Sequence, residues 1–379
     1  MRILIGLYFV FFSISLLSQV TVVEKYTLDQ QIEETSGLLF YNNKIITHND
    51  SGDNPQLYEL NASTGVIERT IVISNATHVD WEDIAMDDTH LYIGDIGNNN
   101  GDRTDLKIYK VALSDFTSQN TVTAEIINFS YADQQSFTSL PNATNFDAEA
   151  LMDFGDSLLV FTKNWQDFQT KVYKIPKAPG TYSVSKVSTT NVSGLITGAS
   201  KAESNNDFLF LCGYDASATP FLIAISDNRA AGDDIFNNGF TKVSLQDNPL
   251  GIGSQVEGIV SYAKNKIYLT REKVEQNVNG TPVVFEPKLY DVTEPYSSIL
   301  STTESLQDLV YFENPVRELL DIKTTRSINS IKVYSIEGKE LLSSSSSNQL
   351  NVSGLSKGVY FLVLSMENNL VIQKKLLKE

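Results

Sequence analysis

The stretch Asp80-Trp81-Glu82-Asp83-Ile84-Ala85, followed by Leu91-Tyr92-Ile93-Gly94, Leu106-Lys107-Ile108-Tyr109-Lys110-Val111 and the run from Thr123 to Phe129, decides the fold. Its segments are short, rich in β-branched and aromatic residues, and divided by Asp, Asn, Gly or Thr. That pattern specifies strands joined by turns. The same set recurs on both sides. Upstream lie Ser36 to Phe40, Lys44 to Thr47, Gln56 to Leu60 and Val66 to Ile73. Downstream lie Ala148 to Leu151, Leu158 to Phe161, Lys171 to Lys174 and Tyr182 to Val187, then Gly198 to Ser200, Phe208 to Leu211, Phe221 to Ala224 and Phe240 to Leu245. A last set, Val256 to Ile259, Lys266 to Leu269 and Lys288 to Asp291, lacks an outer strand, which the run Val20 to Tyr26 can supply. One four-stranded sheet cannot bury both of its faces, but sheets stacked radially can. The expectation is an all-β chain whose main body is a β-propeller of five blades, or six if two sets are merged. A β-sandwich or irregular all-β fold is the competing reading.

Aligning the sets puts Glu82, Glu149 and Glu257 at one position of the innermost strand, with Ser36 and Gly198 in the other two sets. Two residues earlier come Glu34, Asp80, Asp147 and Gln255. Innermost strands line the axial channel, so Asp80, Glu82, Asp147, Glu149 and Glu257 should meet at one mouth of it. The plain alternative is that these acids cap turns. Carboxylates crowded in a partly buried site stay ionised only beside a cation. Oxygen donors without His or Cys favour Ca²⁺ over zinc. Polar residues at the ends of the second strands, Asp50, Asp53, Asp95, Asn98 and Arg271, are candidate ligand-binding groups. His48 beside Asp50 is a candidate general base, as is Glu82. A lone His at a strand end is also an ordinary turn residue. Cys212, inside an apolar run, reads as a buried small hydrophobe.

Charge agrees with this reading. The chain carries 29 Lys and Arg against 46 Asp and Glu, a net of -17. Nucleic acid and anionic membranes are therefore poor partners. The imbalance is local: residues 306–379 hold nine basic and eight acidic residues, and residues 19–305 carry the excess. The composition change and the Ser-Thr stretch before it place a domain boundary near 305. A single cysteine excludes a disulfide scaffold. At the other end, Arg2 and the apolar run Ile3 to Leu17 are too short to span a bilayer comfortably, which needs about 20 residues. They read as a secretory signal peptide over residues 1–18, with a membrane anchor as the alternative.

Several of these segments carry resemblances. Glu34-Thr35-Ser36-Gly37-Leu38, His48-Asn49-Asp50-Ser51-Gly52-Asp53, Asp80 to Ala85, Tyr92 to Asn99 and Asp147 to Leu151 resemble a group of exported bacterial propeller proteins without an assigned activity. More remotely, the acid-lined channel is similar to calcium-dependent propeller hydrolases of the gluconolactonase-like and phytase-like groups. In the tail, Asn314-Pro315-Val316, Val333-Tyr334-Ser335-Ile336-Glu337-Gly338-Lys339, Leu350 to Leu362 and the basic end Lys374 to Lys378 read as a small immunoglobulin-like β-sandwich. This ordered set closely resembles the type A C-terminal sorting domain of the type IX secretion system of Bacteroidetes. The resemblance implies passage through the periplasm, recognition by the outer-membrane translocon and a sorting peptidase, and release or attachment at the cell surface.

Together these readings predict a secreted or surface propeller, monomeric, that binds Ca²⁺ and an unknown small-molecule or glycan ligand. The alternative is a Ca²⁺-dependent lactonase, esterase or phosphoesterase acting at the channel mouth.

Overall fold

The computed structural model of the chain describes residues 20–203, 208–226, 233–237, 239–246, 249–278, 281–294, 310–324, 326–335, 339–345, 347–366 and 370–379. The expected signal peptide, the expected boundary near 305 and residues 337 and 338 of the tail turn lie outside the described residues.

The body is a β-propeller. Its inner strands are Thr35–Tyr41, Trp81–Met86, Ala148–Phe154, Leu195–Lys201 and Val256–Ala263. Each begins its own sheet, and they touch in cyclic order, the last returning to the first. Five apolar clusters lie between neighbouring sheets. Strand alternation explains this: one face of a strand packs on the preceding sheet and the other on the next, so Leu38 and Leu39 enter different clusters. The inner strands approach so closely that a Cβ on Gly258 would collide with the backbone oxygen of Ser36.

The N-terminal strand Thr21–Thr27 pairs antiparallel with Lys288–Thr293 and completes the last sheet, as expected. Two details differ from the sequence reading. The segment Gly180–Val184 does not form the outer strand of the third sheet. It runs parallel to Glu125–Tyr131 at the edge of the second sheet, and Lys186–Asn191 takes the outer place in the third. A strand pattern fixes a pleat but not a neighbour, and here the preceding sheet offered an open edge. A second hairpin, Val274–Val278 with Thr281–Phe285, rises between two strands of the last sheet. Among the described residues the one α-helix is Leu113–Ser118, and none is long and apolar enough to cross a membrane.

The tail is a small β-sandwich. The strands Ile328–Tyr334, Glu340–Ser345, Gly358–Met366 and Leu370–Lys378 form one sheet, and Leu319–Asp321 pairs with Gln349–Asn351 in the other. Ile331, Val333, Leu350, Leu362, Leu364 and Leu376 fill its core. Its last strand also pairs antiparallel with Phe240–Ser244, the outer strand of the fourth propeller sheet, from Phe240 opposite Gln373 to Val243 opposite Leu370.

Candidate metal centre

All five inner strands carry a register break near their start. Glu82 lies between the pairs Trp81–Asp95 and Asp83–Gly94, and Glu149 between Ala148–Thr162 and Ala150–Phe161. Ser36-Gly37 and Glu257-Gly258 lie in the breaks of their own strands. In the fourth sheet the extra residue is Thr197, because Ile196 pairs with Gly213 and Gly198 with Cys212. The sequence alignment, which put Gly198 there, is off by one. A bulge frees a residue from the ladder and re-aims its side chain. Here the freed hydroxyl of Thr197 donates to the Val256 carbonyl at 2.6 Å, and the Ser36 hydroxyl donates to the Glu82 carbonyl. The three freed glutamates are buried.

A second tier comes from the ends of the second strands. The backbone N–H of Asp50 donates to Glu34 at 2.9 Å, that of Lys163 to Asp147 at 2.8 Å, and that of Glu272 to Gln255 at 3.3 Å. Asp50, Lys163 and Glu272 therefore occupy one structural position in three sheets. The two tiers bring carboxylates into two groups. Oxygens of Asp50, Asp80 and Glu82 lie within 4.8 Å of one another, and so do oxygens of Glu82, Asp147 and Glu149. Glu82 belongs to both. Gly97 follows the second strand of its sheet and faces this junction: a Cβ there would strike Glu82 Oε1 and the Asp80 carboxylate.

Electrostatics follow from crowding. Burial, and then the neighbouring acids, hold the carboxyls of Asp50 and Glu82 well above the usual range. Glu149 and Glu257 are also raised by burial, with Lys163 opposing the rise. Asp80 is pushed up to about 6 by burial and Asp147, and Glu272 to about 7 by burial with Glu34 adding to it. Asp147 is the best satisfied: it accepts from Asn98 N at 2.6 Å and Trp165 Nε1 at 2.8 Å. Lys163 Nζ lies 3.0 Å from Glu149 Oε2, and the lysine is buried. By contrast Glu82 Oε1 and Asp50 Oδ1 are buried with no hydrogen-bond partner. A buried anion in that condition is costly until a proton or a cation reaches it. Hard oxygen donors at this density could hold a metal ion.

The other sequence candidates have different placements. Asp95 pairs with Arg103 at 2.8 Å and accepts from Asp80 N, which anchors the strand before Glu82. Asn98 uses its backbone N–H on Asp147, its amide on Phe146 O and its carbonyl oxygen on Arg103 N. Asp53 accepts from Asn49, Gln56 and the Tyr58 hydroxyl, within the first sheet. Arg271 is not offered to an anionic ligand: it is buried, and its guanidinium donates to Glu286 O, Leu250 O and Ser254 Oγ. His48 does not pair with Asp50 as a base and its orienting acid. Its Nδ1 contacts the Asn49 carbonyl at 2.8 Å, its ring is fully buried against Trp81, and burial lowers its pKa to about 3. Lys163, Glu272, Gly97 and Trp165 also stand at the polar ends of second strands, but the sequence reading assigns them no role in the site. The signal that singles out Lys163 and Glu272 is their match to Asp50, each following its second strand at the same position.

Residues 311–379 match the secretion system C-terminal sorting domain. No curated protein matches the chain. Among solved structures, a glutaminyl cyclase of Myxococcus xanthus is 13% identical, with 73% of this chain and 97% of that chain covered and a TM-score of 0.41. The extracellular domain of a one component system from B. thetaiotaomicron is 11% identical, covering 95% and 59%, with a TM-score of 0.30. That of a hybrid two component system from the same organism is 10% identical, covering 94% and 57%, with a TM-score of 0.34. The propeller assignment rests on the ring of inner strands, and the export route on the tail: the chain is a β-propeller protein carrying a type IX sorting domain, destined for the cell surface or the medium.

Proposed function

We propose that the propeller binds Ca²⁺ at its acidic mouth and uses the metal and the surrounding rim to hold a small-molecule or glycan ligand outside the cell. The observation that supports this most is the pair of buried, unpartnered oxygens, Glu82 Oε1 and Asp50 Oδ1, in a group with Asp80. A hard divalent cation would satisfy both at once and remove the repulsion among the carboxylates. An exported protein also meets Ca²⁺ at far higher levels than a cytosolic one. Ligand binding follows the usual logic of such sites, in which a metal held by protein on one side leaves coordination positions open to solvent on the other. Catalysis is the weaker reading, because burial of His48 leaves only Glu82 of the two bases expected from the sequence, and Glu82 is the residue both carboxylate groups share.

The test is thermal unfolding of the protein in excess EDTA and in millimolar Ca²⁺. Ca²⁺ should raise the Tm of the wild type. In Glu82→Gln the Tm in EDTA should be equal or higher, since one repelling charge is gone, and the Ca²⁺ response should vanish. An unchanged wild-type Tm refutes the metal.

A further inference from the structure

The two carboxylate groups are alike in composition but not in what surrounds them. In the group Glu82, Asp147 and Glu149, an ammonium is already present: Lys163 Nζ lies 3.0 Å from Glu149 Oε2. Its position is built. The Lys163 backbone is tied to Asp147 O at 2.8 Å, and its ammonium faces the Trp165 ring at 5.0 Å and the Tyr214 ring at 5.5 Å. Aromatic faces on two sides and carboxylates on another make a cage for a monovalent cation. Trp165 also donates to Asp147, so the same indole wall serves the lysine and the acid. In the group Asp50, Asp80 and Glu82, no lysine or arginine is ion-paired to any of the three carboxylates among the described residues, and Glu82 Oε1 and Asp50 Oδ1 are left without partners.

Sites with two metal ions about 3.5–4 Å apart are common where two carboxylate groups share a bridging acid. Here Glu82 has the place of that bridge, yet one of the two positions is already neutralised from within. We propose that Lys163 stands in for a second cation, so that the mouth takes one Ca²⁺, on Asp50, Asp80 and Glu82, and not two. This rests on the Ca²⁺ reading given above and deepens it: a single lysine sets the number of metal ions. The cost of removing it is also clear. Without Lys163, Asp147, Glu149 and Glu257 would be buried together with no counter-charge, which favours uptake of a divalent ion in its place.

The experiment is Ca²⁺ stoichiometry on the full chain by equilibrium dialysis with metal analysis, for wild type, Lys163→Gln and Lys163→Arg. Glutamine keeps hydrogen-bonding capacity towards Glu149 and loses the charge; arginine keeps the charge. One Ca²⁺ per chain is expected for wild type and for Lys163→Arg, and two for Lys163→Gln. The double variant Lys163→Gln with Glu149→Gln should return to one, because the second group is then one carboxylate short of the three it needs, and it also relieves any misfolding caused by the uncompensated charge. One Ca²⁺ in Lys163→Gln, with folding confirmed by circular dichroism, overturns the proposal while leaving the metal reading intact. Two in the wild type does the same. No Ca²⁺ in any variant overturns both.

Discussion

Asp83 Oδ2, on the inner strand of the second sheet, accepts a hydrogen bond of 2.9 Å from the backbone N–H of Leu151 on the inner strand of the third. The same oxygen accepts from Ala199 N in the fourth at 3.3 Å, and Oδ1 from its own neighbour Ile84 at 2.8 Å. One fully buried carboxylate thus ties three inner strands together near the axis. Replacing it with Ala would leave three buried amides unpaired, each worth about 1–3 kcal/mol. Asp83→Ala should therefore lose about 3 kcal/mol or more, and Asp83→Asn, which keeps one acceptor, should lose less. Urea unfolding of the two variants measures the order; equal losses would show that the amides find other partners.

The mouth should make stability fall with pH when no metal is present. Asp80 titrates near 6 and Glu272 near 7 in the folded chain, against about 4 for such groups unfolded. The folded state therefore binds more protons than the unfolded state between those values. Its stability is fully present below about pH 4 and declines as pH rises through 6 to 7. In EDTA the Tm should drop over that interval. With Ca²⁺ the drop should be reduced or reversed, since the metal replaces the protons, and Ca²⁺ affinity should weaken on acidification below about pH 6. A flat EDTA profile would count against shared protons at this site.

Gly97 is the narrowest point beside the carboxylates. The methyl of Gly97→Ala meets the Asp80 and Glu82 carboxylates, so they must separate. Overpacking of this kind costs about 1–3 kcal/mol. The expected result is a lower Tm in EDTA and no further response to Ca²⁺. A variant that still responds like the wild type would place the metal away from Gly97.

The tail makes a prediction of its own. Residues 310–379 fused behind a periplasmic reporter should carry it across the outer membrane of a host with the type IX system. A reporter that stays in the periplasm would refute the assignment. Cell fractionation distinguishes the two.

Much of this was readable in the sequence, for identifiable reasons. The inner strands begin with acids and continue as apolar runs, so Glu82, Glu149 and Glu257 could be aligned without knowing the fold. The tail carried enough ordered residues to be placed. What stayed hidden depends on the third dimension. Thr197 and Gly198 exchange places because a bulge is set by pairing and not by composition. Asp83 is a single polar residue inside a strand, and only the ring of strands gives it three amides. Lys163 follows an apolar strand as any solvated lysine would. Its burial comes from Tyr214, at the end of the second strand of the next sheet, and from Glu149 on the neighbouring strand. Gly180–Val184 has a sound strand pattern and simply joined a different sheet.

The strand Leu370–Lys378 pairs with Gly358–Met366 on one side and with the propeller on the other. Outer edges of the first and second sheets are likewise covered, by Thr121–Val122 and Gly180–Val184. A protein that sheds its tail, as the sorting-domain resemblance implies, would uncover the backbone of Phe240 to Val243 just as it reaches its destination. An open strand edge invites pairing with other chains. Lys242, in the middle of that edge, holds its ammonium against the carbonyls of Val192 and Ser193 and over the Phe221 ring. The passenger therefore travels with this edge of the fourth sheet covered, and losing the tail would turn it into an open pairing surface.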